Sequence, residues 1–324
     1  MSVFVQQQHS INSFSSSDSW VILSEIEQSI KKKIEAVGTP LKDWDIQIYR
    51  GVLTGYNEAF IISTEKRNDI LANCQSEQER AKTEELIRPI LRGRDIKRYG
   101  YEWANLWLIA TFPARQYDIN NYPAVKNYLL SFAKQQLIDA GYSWVANEHL
   151  ADYCKQKLSQ TGKFIEIDGM RITIGNSQEK ARKKTSNKWF ETQDSISYWE
   201  DFNQPKIVWG NLNLRASFAM ALDDSFVNAP SPMIVPASKY LLGMLNSKIA
   251  DYYIRNLGVT RNGGYFEYKP MFVEQLPVPS ISEFSSIIEV LVEQKDEKRI
   301  DETAYEIYGL TQEEIDYVES ILNQ

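Results

Sequence analysis

The pattern of hydrophobic and polar positions divides the chain into a strand-rich body and a helical end. Apolar residues recur every three or four positions over residues 20–37, 122–141 and 238–258, which predicts amphipathic helices. Between them, short continuous or alternating apolar segments predict buried strands. Strands in the body with helices gathered at the end are typical of the α+β class. The predicted strands are residues 44–49, 60–62, 103–112, 204–209 and 232–236.

Turn and capping residues refine this picture. Residues 51–60 carry two glycines and an asparagine ahead of a further apolar segment, which predicts a hairpin-like unit with an exposed polar tip. Residues 164–174 alternate on both sides of Asp168-Gly169, a pair that suits a type I′ hairpin turn. Ser76 with Glu79 predicts a capping box at the start of a polar helix.

The C-terminal part of the chain predicts two antiparallel helices. The first passes through a charged segment at residues 294–301 and ends at Gly309, and Thr311 with Glu314 predicts a capping box for the second. We therefore expect a polar leader or linker at residues 1–19, a body at residues 20–281 and a helical hairpin at residues 282–324.

Charge is distributed unevenly along the 324 residues, whose formal net charge is −7. Residues 274–324 hold 13 acidic and 3 basic residues, which leaves a net charge of +3 for residues 1–273. A mildly basic body can bind DNA because the local field, rather than the total charge, governs the contact. No apolar segment is long enough to span a bilayer and no secretory signal is recognisable, so we expect a cytoplasmic protein without membrane contact.

The sequence lacks the motifs of several common metal, catalytic and nucleotide-binding sites. Cys74 and Cys154 have no metal-ligand spacing, and the only histidines are His9 and His149, which disfavours a zinc site or a Ser-His-Asp triad. There is no Gly-x-Gly-x-x-Gly, Walker or Gly-x-Ser-x-Gly motif. We therefore expect no metal site and no catalytic residues.

The segment of residues 86–99, called here the basic stretch, carries the strongest candidate chemistry. Its cations alternate with isoleucines and a leucine that would anchor it to a core, while Pro89 discourages a helix and Gly93 permits a tight turn. The expected result is a pinned loop whose guanidinium groups project in fixed directions, suited to phosphate oxygens or guanine edges. The alternative, that these cations pair with the chain's own carboxylates, stays open. The cations are Arg88, Arg92, Arg94, Lys97 and Arg98, against the single acid Asp95.

Taken together, several segments resemble the TaqI-like C-terminal specificity domain, the target recognition part of adenine-N6 DNA methyltransferases and of fused type IIG restriction-modification enzymes. The resemblance runs in order over roughly residues 20–320. The segments are residues 51–62, 86–99, 205–209, 240–248, 263–265, 274–279 and 300–311.

This resemblance implies a twisted β-rich DNA specificity fold with a C-terminal helical hairpin. It also implies a module that reads a short double-stranded DNA site while a separate methyltransferase domain or subunit, with or without an endonuclease, flips and methylates the adenine. The Asn-Pro-Pro-Tyr-type catalytic motif and the glycine motif for S-adenosylmethionine are missing from this sequence. We therefore expect no enzyme activity and no cofactor in this chain, with S-adenosylmethionine bound by the catalytic domain or partner.

The expected DNA contacts fall in three segments. Base contacts are expected from the first loop, residues 51–60, with its flanking arginine, and from the basic stretch, in which Asp95 would orient a neighbouring arginine. Phosphate contacts are expected from residues 176–188, and if Arg94 or Asp95 is structural, base readout shifts to residues 171–190. The candidates are Arg50, Thr54, Tyr56 and Asn57; Arg92, Arg94, Lys97 and Arg98; Arg171 and Trp189; and Lys180, Arg182, Lys183 and Lys184.

Two rival functions remain at this point. The acidic helical hairpin is suited to protein contact, so the chain could be an interaction scaffold that does not bind DNA. A hydrolase using paired carboxylates, such as Asp223-Asp224 or Glu84-Glu85, is disfavoured at Asp223-Asp224 because neighbouring side chains of a strand point to opposite faces.

Overall fold

The computed structural model describes residues 23–139, 141, 143–144, 164–167, 170–173, 186–222, 224–258, 260–261, 263–280 and 284–323. For residues 164–167 and 170–173 the description is of the backbone. The expected leader, Arg171 as a side chain, and the cations Lys180, Arg182, Lys183 and Lys184 lie outside the described part.

Seven helices of the described part begin after a serine, threonine or aspartate whose side chain accepts an N-terminal hydrogen bond, whereas those that begin at Asn57, Pro270 and Ser285 have no side-chain cap. At Ser24, and at Thr311 as expected, a glutamate three residues later completes a capping box. No helix in the described part is long and apolar enough to cross a bilayer. The helices are α1 Glu25–Val37, α2 Asn57–Phe60, α3 Thr64–Ala72, α4 Glu77–Leu86, α5 Pro123–Asp139, α6 Lys239–Asn246, α7 Lys248–Leu257, α8 Pro270–Val273, α9 Ser285–Gln294, α10 Glu297–Ile307 and α11 Gln312–Leu322.

The strands are short and form several small sheets, so the mixed α+β class is confirmed. They are β1 Thr39–Pro40, β2 Gln47–Arg50, β3 Ile61–Ser63, β4 Ile87–Leu91, β5 Ile96–Lys97, β6 Gly100–Tyr101, β7 Leu106–Ile109, β8 Phe164–Ile167, β9 Met170–Thr173, β10 Lys206–Trp209, β11 Leu212–Asn213, β12 Phe218–Ala221, β13 Phe226–Val227, β14 Pro232–Val235, β15 Thr260–Arg261, β16 Tyr265–Glu267 and β17 Pro277–Val278.

Two four-stranded sheets form the centre of the body. The first has the order β12-β10-β14-β2 with every neighbouring pair antiparallel. The second has the order β13-β4-β7-β3, in which β13 and β4 are parallel and the other pairs antiparallel. A three-stranded sheet, β11-β16-β15, lies at the rim of the cleft described below.

The first sheet lies between two hydrophobic cores. Ile207 and Trp209 of β10 belong to one core, whereas Val208 between them belongs to the other. Successive side chains of a strand point to opposite faces, so a strand buried on both faces reads as a continuous apolar run. This is why the apolar segment predicted at residues 204–209 becomes a central strand.

The hairpin predicted across residues 51–60 is wrong, because its two strands belong to different sheets. β2 pairs with β14, whereas β3 pairs with β7, and the short helix α2 precedes β3. Pairing at long range outweighs the local turn signal. By contrast, the hairpin predicted at residues 164–174 is confirmed by the register of β8 and β9, in which Ile167 faces Met170. Its turn, Asp168-Gly169, lies outside the described residues.

The helical end of the chain contributes to the first core rather than standing apart from it. Ile288 of α9 and Ile300 of α10 are fully buried there together with Ile30 of α1. The predicted first helix is divided at Lys295, which has a positive φ of 54°, and Asp296 caps the helix that follows. Likewise, the helix predicted over residues 238–258 is two helices, because Ser247 ends α6 and caps α7.

Candidate nucleic-acid interface

The loops at one end of the two central sheets are held together by backbone hydrogen bonds. Gly51 N–H donates to the Ser231 carbonyl at 2.8 Å and Val52 N–H to the Val227 carbonyl at 2.7 Å. Asn228 N–H donates to the Leu91 carbonyl, at the end of β4, at 2.8 Å. The first loop, the basic stretch and the turn after β13 therefore form one connected backbone framework, which is the requirement for fixed side-chain directions.

This framework surrounds an open cleft of about 800 Å³. Glycine makes the close approach possible, since a Cβ on Gly93 would lie 2.8 Å from Ser231 Oγ. Three basic residues and one acidic residue line the cleft, together with several asparagines. The polar and aromatic lining comprises Asn57, Glu58, Arg92, Arg94, Lys97, Asn211, Asn213, Asn228, Ser231 and Tyr265.

Arg92 and Asp95 are joined by three hydrogen bonds at the cleft. The Arg92 side chain donates from Nε and Nη2 to the two Asp95 carboxylate oxygens at 3.0 and 2.8 Å, and its backbone N–H donates to Asp95 Oδ2 at 2.9 Å. Burial would raise the pKa of Asp95, but the hydrogen bonds from Arg92 outweigh it and lower that pKa. The same hydrogen bonds raise the pKa of Arg92. The expectation that Asp95 orients a neighbouring arginine is confirmed.

Arg94 and Lys97 are the exposed cations of the cleft. Neither forms an ion pair with any residue of the described part, and Lys97 Nζ donates to the Arg94 carbonyl oxygen at 2.9 Å. The cations project from a 3-10 turn, Gly93–Asp95, and from β5, rather than from the continuous loop we expected, because residues 87–91 form β4. Ile90 and Leu91, which are fully buried, anchor that strand.

The two remaining arginines of the basic stretch are engaged elsewhere. Arg98 lies beside Glu297 of α10, with Nε to Oε2 at 3.0 Å, and donates from Nη1 to the Ala216 carbonyl at 2.8 Å. Arg88 pairs with Asp224. The expectation that Arg98 contacts DNA is therefore revised, since its side chain is nearly buried and joins the body to the helical end.

The first loop also divides by exposure. Thr54 is buried, and its hydroxyl donates to Asn57 Oδ1 at 2.7 Å and accepts from Tyr56 N–H at 3.1 Å. This revises the expectation for Thr54, whose hydroxyl shapes the loop. Tyr56 packs edge-on against Phe132. Asn57 alone of the four candidates lines the cleft, while Arg50 is exposed and pairs with Asp194 at 3.0 Å.

Trp189 lies in a different depression, of about 580 Å³, and packs edge-on against Phe190. Lys126 and Lys188 line the same depression. The structure therefore brings Asn57, Arg92, Arg94 and Lys97 into one cleft and leaves Trp189 outside it.

Sequence reasoning missed the asparagines that complete the cleft. Asn213 ends the short strand β11, whereas Asn228 directly follows the buried strand β13 and Asn211 lies two residues after the buried strand β10. That position, a polar residue at the end of a buried strand, is the signal that could have identified Asn211 and Asn228. Together with the cations they provide amide donors and acceptors beside guanidinium forks, a combination suited to base edges and phosphates.

Comparison with known proteins places this arrangement in context. No curated protein sequence matches the chain. Among solved structures, the type IIL restriction-modification enzyme MmeI, determined in complex with DNA, superposes with a TM-score of 0.50 at 11% identity, covering 88% of this chain and 36% of MmeI. The type IIG restriction endonuclease BpuSI gives a TM-score of 0.45 at 12% identity, covering 87% of this chain and 32% of BpuSI.

The likeness to MmeI shows a shared fold, and this chain spans about a third of the length of both enzymes. Residues 88–278, more than half of the chain, match the family described as the TaqI-like C-terminal specificity domain. That range contains β4 except for Ile87, the Arg92–Asp95 turn, and Asn211, Asn213 and Asn228 of the cleft. The chain therefore belongs to the TaqI-like C-terminal specificity domain family.

Proposed function

We propose that this chain is the sequence-specific double-stranded DNA recognition module of a restriction-modification system, and that it positions a separate adenine-N6 methyltransferase domain or subunit on its target. The observation that carries the proposal is the cleft, in which Arg92, Arg94 and Lys97 converge with asparagines from two other strand ends. Family membership and the fold shared with MmeI, which was determined in complex with DNA, support it. The proposal assigns no chemistry to this chain.

The contacts divide by their chemistry into positioning and readout. Arg94 and Lys97 are exposed cations without an acidic partner in the described part, so they suit phosphate oxygens. The amides of Asn57, Asn211 and Asn228 lie on the same cleft and suit base edges, for which asparagine is a common reader of adenine. Phosphate contacts then set the register in which the amides meet the bases.

Two observations favour a rival function, a protein-interaction scaffold. Ile287 and Val290 of α9 are exposed by 44% and 50% on the acidic helical end. In addition, Arg50, Arg88 and Arg98 are paired with acids of the chain itself. If internal ion pairs neutralised all the cations of the surface, the chain would not bind DNA. A measurement of DNA binding therefore distinguishes the two functions.

The test is selection from a library of duplexes with a randomised central segment, followed by fluorescence anisotropy on a selected and a scrambled duplex. We expect tighter binding to the selected duplex and a linear fall of log K with log salt. Arg94→Ala and Lys97→Ala should each weaken both duplexes similarly and reduce that slope by about 1. Lys298→Ala is the matched control, since Lys298 is exposed on α10 and does not line the cleft.

The outcomes separate the two functions. Binding to the selected duplex no tighter than to the scrambled one, at every salt concentration, would refute DNA recognition and leave the scaffold. Equal loss of affinity in Lys298→Ala and Arg94→Ala would show binding by diffuse charge and would place recognition outside the cleft.

A further inference from the structure

Arg92 differs from the other cations of the cleft because its direction is fixed. Asp95 holds it through the two side-chain hydrogen bonds and the backbone hydrogen bond described above. Asp95 is itself 5% exposed, and its carbonyl accepts from Glu102 N–H at 2.8 Å, so the carboxylate stands on a pinned turn. The entropy cost of ordering the arginine has therefore been met before any ligand arrives.

The contact with Asp95 leaves the useful edge of the guanidinium open. Nε and Nη2 face the carboxylate, which occupies two of the five N–H donors. The adjacent outer edge, formed by one N–H from Nη1 and the second N–H of Nη2, has no partner among the described residues. Two parallel N–H groups at this spacing match the O6 and N7 acceptors of guanine in the major groove.

Charge separates Arg92 from its neighbours. The Asp95 carboxylate balances the guanidinium charge, so the pair exerts little long-range attraction on phosphate, in contrast to Arg94 and Lys97. Because Asp95 neutralises most of its charge, the fixed Arg92 guanidinium attracts a phosphate of variable position only weakly. It gains most from a planar acceptor pair presented at one place, which is what a guanine edge provides.

We propose that Arg92 is a specificity-determining residue that reads a guanine, while Arg94 and Lys97 bind phosphate. The proposal rests on the proposed function of DNA recognition and adds the assignment of one base to one side chain. Asp95 is a positioning residue, because it fixes the direction of the Arg92 guanidinium.

The test uses the same randomised duplex library with the full chain, followed by titration of duplexes in which each base pair of the selected site is replaced in turn. Arg92→Lys keeps the charge and removes the fork. We expect it to lose roughly tenfold to hundredfold discrimination at one G·C pair, and to keep discrimination elsewhere and the salt slope. Arg94→Ala should behave in the opposite way, with a lower slope and unchanged discrimination.

A second pair of variants separates readout from folding. Arg92→Gln should lose the preference for guanine at the same position, and Asp95→Asn should weaken it while Arg92 is still present. Thermal unfolding of each variant identifies those that fold as the wild type does. Uniform weakening at all positions, or no change, in the folded variants would overturn the assignment to Arg92 and leave DNA recognition intact. A wild-type chain that selects no sequence would overturn both.

Discussion

Asp301 of α10 is a buried carboxyl group whose ionisation should oppose folding. It is 7% exposed, and Oδ1 accepts the Lys248 backbone N–H at 2.7 Å at the start of α7. Burial raises the pKa of Asp301 to about 6, although the hydrogen bond from Lys248 and the charges of Lys248 and Arg98 act in the opposite direction. In an unfolded chain the pKa of an aspartate is about 3.9.

The magnitude follows from this difference in pKa. A difference of about two pKa units between the folded and the unfolded state corresponds to about 3 kcal/mol of free energy of unfolding. Because the folded-state pKa is the higher one, the favourable contribution is fully present below pH 4 and is lost as the pH rises through 6. Above pH 6 both states are ionised at Asp301, and the cost of the buried charge stays constant.

The perturbation is Asp301→Asn, which removes the charge and keeps an oxygen that can accept from Lys248 N–H. Urea unfolding at pH 8 should show the variant more stable than the wild type by roughly 2–3 kcal/mol, and the difference should shrink toward zero at pH 4. Comparing the two proteins at each pH cancels the contributions of the other titrating groups. Asp316→Asn is the control, because Asp316 is exposed on α11.

A variant that is less stable than the wild type at pH 8 would refute the reasoning. It would mean that the attraction of Asp301 for Arg98 and Lys248 exceeds its desolvation cost, so the carboxylate would be a stabilising partner. A difference that does not change between pH 4 and pH 8 would show that Asp301 is not the titrating group.

Two further substitutions test the packing of the loops and of the two ends of the chain. Gly51→Ala should destabilise the protein by roughly 2 kcal/mol or more, because a Cβ there meets the backbone carbonyls of Val227 and Ser231. DNA binding should weaken with the loss of stability. Urea unfolding measures the loss, and Gly100→Ala is the control because the space around its Cβ is open. Glu314→Gln should cost roughly 1–3 kcal/mol at pH 7. Burial alone would raise the pKa of Glu314, but the hydrogen bonds it accepts from Lys33, Thr311 N–H and Ser29 outweigh burial and lower that pKa to about 2. That loss should fade as the pH falls from 4 toward 2 in parallel unfolding curves, since the stability given by a lowered pKa is present above the unfolded value and lost below it; a constant loss at all pH values would contradict an ionic origin.

Features fixed by nearest neighbours in the sequence were predicted well. The capping box of Thr311 and Glu314 depends on groups within one helical turn, and it is present as expected. The buried strand at residues 206–209 was visible as a continuous apolar run. Such features depend on residues that are close together in the chain, so the local sequence pattern is enough to predict them.

Features that depend on distant partners were predicted only in part. Ser76 caps α4 as expected, but the Glu79 carboxylate accepts from Gln75 N–H and from Ala124 N–H rather than completing a box with Ser76. A backbone donor 45 positions away competes successfully with the local one. The false hairpin at residues 51–60 has the same cause, because β2 and β3 each find a better partner elsewhere.

The sequence indicated the cations of the candidate cleft because they lie close together in the chain. It did not indicate most of the amides, because these come from distant segments. Asn57 begins α2, Asn211 follows β10 and Asn228 follows β13, so the three amides meet only when both sheets are formed. No spacing rule connects positions so far apart in the chain. Their meeting follows from the backbone hydrogen bonds that join Val52, Val227 and Leu91 to the same framework.

The internal ion pairs of the basic stretch hold it at both ends and leave the cations of the candidate cleft between them unpaired with acids outside the stretch. Arg98, paired with Glu297, fixes the far end of the stretch to the helical end of the chain. Arg88, paired with Asp224, fixes the near end within β4. Between these two anchors, Arg92 keeps an open edge, and Arg94 and Lys97 keep their charge. An arginine ion pair at each end of the segment restricts its movement. In the proposed DNA recognition, this rigidity would present the cations between the two pairs to a duplex in a single register.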